Sequence, residues 1–90
     1  MITKIVNLKT DIYDTYIGRG SPYGNPFKIG KDGDRDEVIR KFRLYFTERL
    51  KDPSYVVLVL KLRNKRLGCY CAPLACHGDV FVEYLATVGD

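Results

Sequence analysis

The chain has 90 residues, 46% hydrophobic and 29% charged, the size and composition of one globular domain, which excludes a wholly disordered or low-complexity chain. Fifteen Lys and Arg against eleven Asp and Glu leave a net charge of +4, a surplus that permits nucleic-acid, nucleotide or phosphate partners without requiring them. No apolar run approaches the ~20 residues of a membrane-spanning helix, and the start, Met1-Ile2-Thr3-Lys4, lacks the apolar core of a secretory signal; no membrane partner and a cytoplasmic location are expected.

Residues 2–8 (ITKIVNL) and 12–17 (IYDTYI) are rich in β-branched and aromatic side chains and predict two strands. A glycine-rich stretch then runs from Gly18 to Gly33, too long for a tight hairpin, and loops of that length in small domains usually carry function. At Asp34 the period changes. Asp34 with Glu37 three residues on resembles a capping box, and Val38, Ile39, Phe42, Tyr45, Phe46 and Leu50 repeat at helical spacing up to the stop at Pro53. Residues 55–62 (YVVLVLKL) read by composition as a buried strand, with a short helix as the alternative because an unbroken apolar run carries no period. Residues 66–71 (RLGCYC) predict another strand, whose alternation sets Cys69 and Cys71 on one face. Val80, Phe81, Tyr84 and Leu85 predict a last helix beginning near residues 77–79. The order is β-β-α-(β or α)-β-α, an α/β fold in which a small sheet is flanked by helices within a single compact domain over residues 1–90.

Two segments carry the chemistry. The first is Gly18-Arg19-Gly20-Ser21-Pro22-Tyr23-Gly24-Asn25-Pro26-Phe27. Its glycines permit close backbone approach and its prolines shape the loop, which offers backbone N–H groups, the Arg19 guanidinium, the Ser21 hydroxyl and the Asn25 amide to a phosphate or sugar. Tyr23 and Phe27 either stack on a base or plug the core. The stretch is neither a P-loop nor a dinucleotide fingerprint, since it lacks Gly-Lys-Ser/Thr and Gly-x-Gly-x-x-Gly. The competing reading is a structured surface loop with its aromatics packed inward.

The second is Cys69-Tyr70-Cys71-Ala72-Pro73-Leu74-Ala75-Cys76-His77-Gly78-Asp79, which holds all three cysteines and the one histidine. A disulfide framework spreads its cysteines, so this cluster points to reduced thiols and a local site. Cys69, Cys71, Cys76 and His77 make up the ligand set of a Cys₃His zinc site, although four ligands from nine residues are sterically tight and one cysteine can drop out to leave an open three-ligand site. In a second reading Cys76, just ahead of the last helix, is a nucleophile with His77 beside it, and Asp79 is the general base. In a third, the cysteines are small buried hydrophobes and His77 and Asp79 merely cap the helix.

The residues YIGRGSPYGNPF, DRDEVIRKFRLYF and LGCYCAPLACHGDVFVEYL resemble a family of small bacterial and bacteriophage proteins catalogued as domain of unknown function 4326. The resemblance spans roughly residues 16–85 and implies that both motifs belong to one design; residues 55–60 are more β-branched here. By analogy it implies a site where the Arg19–Asn25 loop meets the Cys69–Asp79 segment, each following a strand, where small α/β proteins place their ligands. A domain binding or processing a nucleotide, nucleoside or nucleic-acid-derived ligand is therefore expected, with Arg19, Ser21, Tyr23 and Asn25 holding the ligand, Asp79 and Cys76 as catalytic candidates, and zinc as the candidate cofactor. Hydrolysis of a glycosidic or phosphate bond is the reaction considered. The alternative is a noncatalytic basic module contacting nucleic acid through Arg40, Lys41, Arg43, Lys61, Arg63, Lys65 and Arg66, with the cysteine/histidine segment structural. A phage origin also admits a protein that binds a host protein.

Overall fold

The computed structural model describes residues 2–89. Its elements are β1 (Lys4–Asn7), β2 (Thr15–Tyr16), α1 (Arg35–Arg49), α2 (Pro53–Leu60), β3 (Arg66–Cys69) and α3 (Gly78–Thr87). The three strands form one parallel sheet in the order β1-β3-β2, with Ile5 and Thr15 both in register with Leu67. This is the α/β fold expected. No described helix is long and apolar enough to cross a membrane.

Two parallel strands flanking a third require the chain to return across the sheet between them, and residues 8–14 do so without a helix. They pass over Gly68, where an added Cβ would lie 2.7 Å from Cγ and 3.1 Å from Cβ of Tyr13. Gly68 thus gives the crossover room on one face, while Leu67 and Cys69 point from the other face into the core. Beyond the crossover, Arg66 ties β3 to the start of β2: its backbone N–H and guanidinium both donate to Asp14, which pairs with Arg66 at 3.0 Å.

Asp34 caps α1 by accepting from the Glu37 N–H at 2.9 Å. Residues 55–62, read by composition as a strand, instead begin within α2. Asp52 accepts from the Ser54 N–H at 3.0 Å and Pro53 occupies the first turn, so a capped start overrides the β-branched composition. The strand expected over residues 66–71 ends at Cys69, and Cys71 lies in the turn beyond it. The two N-terminal strands are likewise shorter than their apolar runs, because most of residues 8–14 serves the crossover.

The core lies between the sheet and the three helices. Phe42 and Phe46 of α1 meet Phe81 of α3 edge-on with ring centroids 5.6 and 5.4 Å apart, and Tyr55 and Val59 of α2 close the cluster. Thr3 is buried at one rim, its hydroxyl donating to the Leu62 carbonyl and accepting from the Asn64 N–H, both at 3.0 Å.

Candidate functional site

A cleft of about 350 Å³ opens at the carboxyl ends of β2 and β3. One wall is the loop after β2, with Arg19, Asn25 and Phe27; a second is the first half of α1, with Arg35, Val38 and Ile39; the third is the cysteine segment. Both motif segments therefore face one space, because both leave the same end of a parallel sheet.

The loop is fastened by its own groups. The Ser21 hydroxyl donates to the Gly18 carbonyl at 2.7 Å and accepts from the Tyr23 N–H at 3.2 Å, while Gly20 takes the left-handed conformation at φ 87°. Ser21 is thereby occupied in holding the turn and does not line the cleft. Tyr23 is only 7% exposed; its ring meets Phe81 edge-on and its hydroxyl donates to the Leu58 carbonyl at 2.9 Å. A ring locked in the core and hydrogen-bonded there cannot stack on a ligand, so the expected ligand contact by Tyr23 is corrected to a packing role. Phe27, half-buried, does line the cleft.

Asn25 accepts from the Phe27 N–H at 2.9 Å and donates to the Val38 carbonyl at 3.3 Å, docking the loop on α1. Arg19 is exposed and donates to the Asn25 carbonyl. Arg35 in the first turn of α1 donates to the Ala75 carbonyl at 3.1 Å, spanning from helix to cysteine segment. Arg35 lies outside both sequence motifs. The signal that could have singled it out is its place directly after the Asp34 cap, the end of the helix nearest the loop. Both arginines keep guanidinium donors beyond these single carbonyl bonds.

The Cys69 and Cys76 sulfurs lie 3.3 Å apart, both thiols are free, and both residues are buried yet border the cleft. The hydrogen bond from Cys76, aided by the N–H groups of Ala72 and Cys71, holds the Cys69 thiol well below its ordinary range. The same contact, with burial, pushes the Cys76 thiol up, and its sulfur also accepts from the Gly78 N–H at 3.3 Å.

His77 Nε2 lies 2.8 Å from the Ile17 carbonyl oxygen and 3.0 Å from that of Tyr23. Two carbonyls only accept, so Nε2 carries a proton. Burial holds the imidazole pKa below its usual value, against the pull of these carbonyls, and the ring stays neutral. His77 is the positional N-cap of α3 but its side chain makes no capping bond.

The Cys₃His set does not assemble. Among the described residues no three His, Cys, Asp or Glu side chains converge to hold a metal. The two touching thiols satisfy each other, and His77 spends Nε2 on the loop carbonyls. Asp79 is also placed elsewhere. Its carboxylate folds back to accept from the Cys76 N–H at 3.2 Å, and it borders a separate groove beside Lys4 and Pro73 rather than the cleft. The general-base role expected for Asp79 gives way to the capping role.

The basic residues lie apart from the cleft. Arg66 begins β3, whose other end is Cys69, and Lys61, Arg63 and Lys65 are exposed on the chain leading into it. Arg40 and Arg43 are engaged in ion pairs with Glu37 and Glu83 on the surface, and Lys41 donates to the Asp32 carbonyl at 2.6 Å.

A family model described as Domain of unknown function (DUF4326) matches residues 3–87. A relative from Enterobacteria phage T4, described as an uncharacterized 12.4 kDa protein in the nrdA-td intergenic region, is 38% identical over 84 residues, covering 91% of this chain and 76% of that protein. No solved structure matches the chain.

Proposed function

The chain belongs to the DUF4326 family, and from that premise we propose that it binds a nucleoside monophosphate or a close relative in the cleft between the Arg19 loop, α1 and the cysteine segment. The observation that carries this reading is the pair Arg19 and Arg35. They stand on different elements at the mouth of one largely apolar cleft, and no carboxylate among the described residues pairs with either. Guanidinium forks suit a phosphate, and the walls formed by Tyr16, Phe27 and Ile39 suit a planar base. A volume of about 350 Å³ sits at the small end of ligand pockets and favours one nucleotide over a dinucleotide.

The carboxyl end of a parallel sheet is where such ligands bind in larger α/β folds. Cys69, Cys71 and His77 then supply the third wall. Calorimetric titration with adenosine, adenosine monophosphate and inorganic phosphate tests the reading: the monophosphate should bind more tightly than either fragment. Equal weakness of all three, or binding of duplex or single-stranded DNA that localises to Lys61, Arg63 and Lys65, favours the basic-module reading instead.

A further inference from the structure

We propose that Cys69 and Cys76 form a dithiol centre that a small hydroperoxide, entering by the cleft, oxidises to an intramolecular disulfide. Three observations converge on this pair. Their sulfurs are 3.3 Å apart, so they need to close by only roughly 1.3 Å to reach the 2.03–2.05 Å bond. Both border the cleft although their residues are buried, so a small reagent entering the cleft meets them. Among the described residues no three His, Cys, Asp or Glu side chains gather at the pair to hold a metal.

Chemistry orders the two steps. The Cys69 sulfur, 3.3 Å from that of Cys76, attacks the terminal oxygen of the hydroperoxide. An S–O bond forms, the O–O bond breaks, and the alkoxide or hydroxide leaves and takes up one proton. Cys69 is now a sulfenic acid, two electrons more oxidised, and the peroxide is reduced by the same two. The Cys76 sulfur then attacks the Cys69 sulfur. An S–S bond forms, the S–O bond breaks, and hydroxide departs as water with the Cys76 proton. The net change converts one hydroperoxide and two thiols into one alcohol or water, one water and one disulfide.

Cys71 is the more exposed of the three cysteines, and access alone would make it react first. That sets the test. Native wild-type protein is treated with one equivalent of hydrogen peroxide, quenched, denatured, counted for free thiols and mapped by peptide mass spectrometry. The expected result is a fall from three thiols to one, a Cys69–Cys76 cross-link, and full reversal by dithiothreitol. The same cross-link should form in Cys71→Ser. In Cys76→Ser, a sulfenic-acid-selective reagent should label Cys69 and no disulfide should appear. A cross-link or sulfenic acid centred on Cys71 overturns the proposal, as does survival of all three thiols under conditions that oxidise the denatured chain. The wild-type mapping decides the matter even if Cys76→Ser does not fold.

Discussion

The Nε2 of His77 lies 2.8 Å from the carbonyl oxygen of Ile17, joining the start of α3 to the residue that follows β2. With the second bond to the Tyr23 carbonyl at 3.0 Å, one imidazole holds both ends of the segment that contains the Arg19 turn. His77→Ala should therefore cost about 3 kcal/mol, since two buried carbonyls lose their donor and a cavity opens beside Phe42. Urea unfolding of the two proteins measures it; a cost below about 1 kcal/mol would deny His77 this fastening role.

The same histidine sets a pH dependence. Its folded-state pKa is depressed by burial, so the unfolded chain takes up a proton on His77 more readily. The His77 contribution to stability is full above the ordinary value of 6.5 and falls as pH drops from there through the lower folded-state pKa. Cys69, also depressed, gives a rise in stability at higher pH, between its folded-state pKa and the ordinary thiol range. His77→Gln should flatten only the acidic limb, and Cys69→Ser only the upper one. Unfolding free energies across pH 5 to 9 resolve the two limbs.

Gly68 carries the topology. Gly68→Ala should destabilise the fold by about 2 kcal/mol, because the new methyl group meets Cβ and the ring root of Tyr13, neither of which can swing away as a side-chain tip can. Tyr13→Ala in the same chain should recover much of that loss. A thermodynamic cycle of the two single variants and the double variant reads the coupling directly; additive effects would show that the crossover does not rest on Gly68.

At the other end of the sheet, the hydrogen bonds from the Arg66 side chain and backbone hold the Asp14 carboxyl down to about 2. NMR titration should find that midpoint, and Arg66→Gln should return it toward 3.8. An unchanged midpoint in the variant would mean that the pair does not persist in solution.

Much of this arrangement could be read from residue order. The Asp34 cap and the 3.6-residue period of Val38, Phe42 and Phe46 mark α1 because a half-buried helix must show its face. The α2 segment hides that sign: VVLVL is apolar all round, and only Asp52-Pro53 ahead of it signals a helix. The meeting of the two motifs followed from both trailing strands, but their individual roles did not. Whether Tyr23 turns to ligand or core depends on the distant Leu58 carbonyl and the Phe81 ring, and the use of Asp79 as a cap depends on the backbone path at Cys76. The side that Arg35 faces is set by the distant Ala75 carbonyl, which no residue pattern on α1 shows.

The cleft itself is tested most directly by titrating isotopically labelled protein with adenosine monophosphate and following amide and arginine side-chain resonances. Saturable shifts are expected at Tyr16, Arg19, Asn25 and Arg35, with a loss of affinity of about tenfold or more in Arg19→Ala and in Arg35→Ala, and no change at Lys61, Arg63 or Lys65. Shifts confined to those three basic residues, or affinity unaltered by loss of either arginine, would contradict binding in the cleft.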